Sequence, residues 1–357
     1  MSSPKSFIES SNRIPGLDGI RAVAILMVLG HHFISESSPN LFLSTLAKNG
    51  GYGVEVFFIL SGFLITILIL REEKKWGSFS IRGFYLRRTL RIFPPLLVFL
   101  AILCIMHLAG AIKIAISDIP TCIFFLRNYL GQSQVTEHIW TLSIEEQYYI
   151  LFPIFLMAIK SNKIRLTLLM ATILILSYWR QYCYSFPDTN WRRTDLRLEP
   201  LLIGSAFAIS KEEVFPNFMA NRFFSSIWAL LLSLFIILAS FAISKIDSLC
   251  VQSLRTTVTY LAMATIIHGV SLGRVWLVSE FLATKPIAWL GRISYSLYIW
   301  QQLFSPFDNR ANLSWYTFFP QNIIFACLFG AISFYLVELP TNSLKHKFIK
   351  AKSGVSQ

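Results

Sequence analysis

Apolar runs about as long as a bilayer is thick recur from near one end of this sequence to the other. A helix needs about 20 mostly apolar residues to cross the hydrocarbon core. The sequence predicts an all-α, polytopic integral membrane protein of about ten transmembrane helices. They are placed at 17–36, 52–70, 92–111, 139–159, 164–181, 198–210, 223–243, 256–272, 286–304 and 320–338. The sixth is short and is read as tilted, broken or buried in the bundle. Two further apolar stretches are too short to span: 119–130, and 275–283, a candidate re-entrant or interfacial segment.

Composition fits that reading. Hydrophobic residues make up 54% of the chain and charged residues 14%, against roughly a quarter charged in soluble domains. No polar segment is long enough for an independent soluble domain, so residues 1–357 are expected to form a single membrane domain with none appended. Residues 22–34 follow Arg13 and Arg21 as in a signal peptide, but no small-residue cleavage site comes after them. The run is therefore read as a retained first span. The five cysteines form no CxxC pair, which argues against a disulfide framework or a metal site.

The formal net charge of +13 would suggest nucleic acid in a soluble protein. Here it sorts by loop instead. Arg71, Lys74, Lys75, Arg82, Arg87, Arg88 and Arg91 crowd between spans two and three, which marks that loop as cytoplasmic. Alternation then places Lys160, Lys163 and Arg165 inside, with Lys211 and Arg222, Arg274 and Lys285, and both termini. The pattern predicts a multi-pass protein of the inner (plasma) membrane with cytoplasmic ends and no nucleic-acid partner. Arg192, Arg193 and Arg197 fall on the outer side against the trend. They either meet an anionic acceptor or pair with acids such as Asp195 or Glu199.

Ionisable residues inside spans are functional candidates by default. Arg21 and His32 are eleven residues apart, about three turns, so both lie on one face roughly 16 Å apart along the axis. Asp18 lies close to the same face, and His31 points about 80° away from Arg21. The stripe through Asp18, Arg21, Val28 and His32 should face the bundle interior. An imidazole there is a candidate general base; the alternative is a snorkelling Arg21 and a polar His32 near the surface. Glu55 opens the second span, either orienting His32 or sitting at a helix N-terminus whose dipole favours an acid. Ser61 and Gly62 read as a close-packing pair. Arg87, Arg88 and Arg91 bring three guanidinium groups to the cytoplasmic face, suited to phosphates of a donor such as CoA or to lipid headgroups. His138 and Glu145 share a helical face in the fourth span, followed by Glu146, Tyr148 and Tyr149. The stretch Ser294-Tyr295-Ser296-Leu297-Tyr298 either lines a sugar site or packs helices together, and Glu338 reads as a helix terminator. No GxSxG, Walker loop, HExxH or Rossmann fingerprint is present.

Taken together, these segments resemble acyltransferase family 3, integral-membrane enzymes that O-acylate bacterial surface sugars and some small molecules. The matching stretches are Gly16-Leu17-Asp18-Gly19-Ile20-Arg21 with ten residues to His32, the Gly53–Ile65 block, Arg87-Arg88-x-x-Arg91-Ile-x-Pro94, Trp140-x-Leu142-x-x-Glu145 with Tyr149, and Ser294–Tyr298. They occur in the family's order along nearly the whole chain. The resemblance implies catalytic roles for His32, Arg21, Glu55 and Glu145. It also implies acyl-CoA binding, with acetyl-CoA as donor, at Arg87, Arg88 and Arg91. Glu55 stands where many members carry Asp, and Gln301 where many carry His. On this reading the chain transfers an acyl group from cytosolic acyl-CoA to a hydroxyl of an extracytoplasmic polysaccharide or glycoconjugate without a metal. His32 serves as base or covalent relay, Glu55 or Glu145 orients and charges it, and Arg21 steadies the donor. The rival class is a transporter or flippase of an acylated or glycolipid substrate that makes no bond.

Overall fold

The computed structural model describes residues 16–34, 40–243, 248–273, 276–306 and 315–343. Residues 35 and 36 of the predicted first span, both chain ends and Arg274 lie outside them. Every described segment is helical or a connection, with no strand among the described residues. Ten principal helices coincide with the ten predicted segments. They are α1 (Leu17–Phe33), α3 (Tyr52–Trp76), α4 (Ile81–Leu108), α6 (Ile139–Ala158), α7 (Asn162–Tyr184), α8 (Glu199–Ile209), α9 (Ile227–Ala242), α10 (Leu249–Ser271), α12 (Lys285–Gln301) and α13 (Gln321–Ser333). Short helices α2 (Leu41–Asn49), α5 (Asp118–Ile123) and α11 (Trp276–Leu282) fill connections. Three helices, Tyr52–Trp76, Ile81–Leu108 and Gln321–Ser343, are long and apolar enough to cross a membrane by length and composition. Leu174, Ile175 and Tyr178 of α7 and Leu231, Phe235 and Leu238 of α9 are exposed. Apolar surface on this scale marks a lipid-facing exterior.

Some boundaries differ from the sequence reading for local reasons. Helix α4 begins at Ile81, capped by the Ser80 hydroxyl accepting from the Gly83 N–H at 3.1 Å. The basic segment is thus the first turns of the same helix, which the apolar run alone did not reveal. Pro94 and Pro95 sit inside it and withhold two backbone donors. The short sixth segment, α8, is nearly all buried and continues as a π turn, Ser210–Val214. Helix α13 likewise passes into a π turn, Phe334–Glu338. The 275–283 stretch forms α11, whose Leu282 packs on α1.

Small residues set the closest approaches. A Cβ on Gly62 of α3 would collide with the Leu201 carbonyl of α8, and one on Gly204 of α8 with the Ile59 carbonyl of α3. Gly291 of α12 abuts the Asp18 carbonyl of α1, and Gly53 of α3 abuts the Ala24 carbonyl of α1. Without a hydrophobic force between helices in lipid, packing through such residues holds a bundle together. Gly16 precedes α1 at φ 84°, a left-handed conformation that glycine adopts without penalty.

Several polar groups inside the bundle join helices. Ser205 of α8 accepts from Thr66 at 2.9 Å and lies 2.5 Å from the Tyr148 hydroxyl. Arg165 is buried at the start of α7 and donates to both Glu73 oxygens, at 2.9 and 3.0 Å, and to the Ile159 carbonyl. It thereby ties the ends of α3, α6 and α7 together. Gly204→Val should force α3 and α8 apart, costing about 1–3 kcal/mol. The thermal midpoint in detergent is expected to fall measurably, while Leu174→Ala on the exposed face leaves it nearly unchanged. Equal midpoints for the two variants would contradict the packing described.

Candidate active site

Helices α1, α3, α4, α6 and α12 surround a cavity of about 260 Å³. Helix α3 contributes its longest wall, from Val54 through Phe57, Ser61, Leu64 and Leu68 to Arg71. Seventeen residue-to-residue steps along the helix make that wall about 25 Å long. Helices α3 and α6 run in the same direction, since Phe58 packs edge-on to Trp140, Ser61 meets Glu145, and Glu73 meets Arg165 beyond the end of α6.

The basic end carries Arg21, Arg71, Arg88 and Arg91. Arg21 bonds Asp18 at 2.9 Å, one turn back on α1. The Arg88 guanidinium lies over the Tyr149 ring, 4.1 Å from its centroid. Among the described residues, neither Arg88 nor Arg91 is in an ion pair with a carboxylate. Arg87 differs from its predicted role. It turns out of the cavity and pairs with Glu72 at 3.0 Å, because it leaves the helix on the side where that acid ends α3. Arg71, which the sequence marks only as a topogenic charge, faces the cavity in its place.

Midway along the wall, the Ser61 hydroxyl donates to Glu145 at 2.7 Å, and both residues line the cavity. Ser61 therefore holds the acid while its neighbour Gly62 packs against α8. At the far end, Thr141 and Tyr298 share a 2.7 Å hydrogen bond, and the Tyr298 hydroxyl donates to the His138 carbonyl at 2.8 Å. Ser294 and Tyr295 also line the cavity, while the next residue, Ser296, donates to buried Glu338 at 2.8 Å. The Ser294–Tyr298 stretch thus both lines and packs. Glu338 is an interior partner, not merely a helix end.

His32 lies beyond this far end and does not line the cavity. Its Nδ1 is 2.7 Å from Oε1 of Gln301, a residue buried completely at the end of α12. His138 Nε2 lies 3.0 Å from the Ile299 carbonyl of the same helix end. The two histidines therefore converge on one terminus of α12. His31 turns away from Arg21, as the helical geometry predicts, and its Nδ1 meets the Ala47 carbonyl of α2 at 2.6 Å. Neither predicted acid touches His32. Glu55 binds Arg197 at 2.8 Å, because α3 directs it toward the loop before α8. Glu145 sits about two turns farther along the cavity, on Ser61.

The arginines predicted to lie on the outer side resolve as paired. Arg192 meets Glu137, Arg193 meets Asp195 at 2.7 Å, and Arg197 meets Glu55 while lying against the Trp140 and Trp191 rings. A second buried pair, Arg180 with Glu199, is 3% and 1% exposed and draws in Thr257 at 2.5 Å. Its signal in the sequence was a charge inside each of two predicted spans. Nearby, Asp118 accepts from the backbone of Gln132 and Ser133, folding the loop that leads into α6.

Residues 14–338 match the model of a family described as an acyltransferase domain. O-acetyltransferase OatA of Staphylococcus aureus is 26% identical over 387 residues, an alignment covering 97% of this chain and 60% of that protein. Peptidoglycan O-acetyltransferase OatA of Listeria monocytogenes is 26% identical over 321 residues, covering 82% of this chain and 49% of that protein. The chain thus spans about half to three-fifths of the length of these curated relatives. No solved structure matches it. The family match runs from the residues before α1 to the π turn that ends α13, taking in the whole cavity and the His32 pole, and the chain belongs to this acyltransferase family.

Proposed function

We propose that this protein is a membrane O-acetyltransferase. It takes an acetyl group from acetyl-CoA in the cytosol and transfers it to a sugar hydroxyl on the outer side of the inner membrane. The observation that carries this reading is one cavity with two guanidinium groups in no ion pair among the described residues, Arg88 and Arg91, at one end and a histidine pole just past the other. The relatives' names, O-acetyltransferase and peptidoglycan O-acetyltransferase, support the reaction and a cell-surface sugar as acceptor. The ten helices are read as ten spans. The basic end of the cavity then faces the cytosol, where positive charge collects.

In this scheme the donor enters with its thioester leading. Arg88 and Arg91 meet its phosphates in charge-assisted hydrogen bonds, and Arg21, fixed by Asp18, adds positive charge beside them. His32 takes the proton of the acceptor hydroxyl. The oxygen attacks the thioester carbon, the C–S bond breaks as the C–O bond forms, and the proton passes to the departing thiolate. Gln301 anchors the imidazole through Nδ1 and so sets which way its other nitrogen points. Glu145 supplies negative charge on the cavity wall, and Glu55 acts through Arg197, holding the outer end of α3 in place.

Acetyl-CoA turnover in reconstituted vesicles tests the reading. His32→Ala should lower it by at least about a hundredfold, the usual worth of a positioned base. His31→Ala removes one neutral hydrogen bond, worth about 1 kcal/mol, and should keep most activity. Equal losses would sink the assignment to His32, and no turnover in folded wild type would overturn the transferase reading. Arg88→Gln and Arg91→Gln should each raise KM for acetyl-CoA about tenfold or more. A loss confined to kcat, with KM unchanged, would place these arginines elsewhere in the cycle.

A further inference from the structure

Four arginines line the cavity, but they do not stand together. Arg88 lies on the Tyr149 ring, and Tyr149 is one helical turn, about 6 Å, beyond Glu145. Glu145 is level with Ser61 through their hydrogen bond. Arg71 is ten residues past Ser61 on the parallel helix α3, about 15 Å along it. Arg71 therefore sits roughly 9 Å farther toward the mouth than Arg88. Arg91, one turn deeper on α4, increases that separation. The cavity thus offers two cationic stations, a deep one and an outer one.

One anionic group would need one station. Two stations along a single channel fit a ligand with two separated phosphate groups in line. CoA has that form: thioester, pantetheine arm, diphosphate, then a 3′-phosphate on the ribose. With the thioester leading, the diphosphate meets the deep arginines and the 3′-phosphate comes last, at the mouth.

Arg71 is also held differently from the deep pair. It is 47% exposed and donates through Nη2 to Glu212 at 3.0 Å. Glu212 belongs to the π turn, Ser210–Val214, that ends α8. The glycine contacts that wedge α8 against α3 fix this turn beside the mouth. A half-exposed ion pair of this kind contributes little to stability, so a phosphate dianion offering charge-assisted bonds can take the guanidinium from it. The same carboxylate opposes any phosphate by like charge.

We infer that Arg71 is the residue that reads the donor's 3′-phosphate, and that Glu212 holds it at the cavity mouth and weakens donor binding until that phosphate displaces it. The inference rests on the acyl-CoA reading proposed above.

The test is equilibrium binding of CoA and of 3′-dephospho-CoA to purified full-length protein in lipid nanodiscs. Wild type should prefer CoA by about tenfold, the worth of one charge-assisted contact at a partly exposed site. Arg71→Gln should erase that preference. Glu212→Gln should tighten CoA binding severalfold, the opposite direction, which loss of structure would not produce. An Arg71→Gln protein that keeps the preference, or a Glu212→Gln protein that binds CoA more weakly, overturns this inference and leaves the donor reading standing. Failure of folded wild type to bind either nucleotide overturns both.

Discussion

The fit of α3 against α8 is the contact on which the site depends most. Gly62 and Gly204 let the two backbones meet where any side chain would hold them apart. That closeness turns one stripe of α3 toward α8 and leaves the stripe from Val54 to Arg71 free to wall the cavity. On the other side, Gly291 admits the α1 backbone to α12, which brings His32 to Gln301 and Arg21 to the basic end. The geometry of the candidate site therefore follows from backbone approach. The polar residues are placed by glycines that carry no chemistry.

Charge inside the bundle divides into two kinds. Arg165 with Glu73, Arg180 with Glu199 and Arg197 with Glu55 are matched pairs, each joining separate segments. Removing one partner of such a pair strands a charge in a medium that cannot solvate it, at a cost of about 3–5 kcal/mol. These pairs fix how segments sit relative to one another. Arg88 and Arg91 are the other kind, in no ion pair among the described residues and lining the cavity. A guanidinium that lines a cavity outside any ion pair can still turn its donors toward an anion arriving from outside.

Much of this was legible in the chain. Apolar runs marked the segments where the ten principal helices form, and helical geometry set His31 apart from His32, which meet different partners. The helical face shared by His138 and Glu145 pointed to the interior, where Glu145 lines the cavity and His138 meets the end of α12. Partner choice was not legible. Glu55 binds Arg197, which lies 142 residues away in sequence, and nothing local distinguishes that partner from His32. Arg87 and Arg91 share a face by spacing, yet Glu72, brought close where α3 turns into α4, draws Arg87 out of the cavity. Arg71 read as one more topogenic charge because its place in the wall depends on how α3 is rotated. That rotation is set by α8, far along the chain.

The separation of His32 from the cavity bears on how the two ends can work together. Thr141 and Tyr298 close the cavity's far end, and the Tyr298 hydroxyl and Thr141 both bond the His138 carbonyl. His138 in turn rests on Ile299, two residues from the Gln301 that holds His32. One helix end, that of α12, therefore carries both the seal and the anchor of the imidazole. In the proposed transferase, Thr141 and Tyr298 would stand between a donor entering from the basic end and an acceptor approaching the histidine pole. Such a seal would keep water from the thioester of that donor. In the proposed transferase, moving the end of α12 would shift Tyr298 and Gln301 together, so opening the seal and aiming the base are a single event.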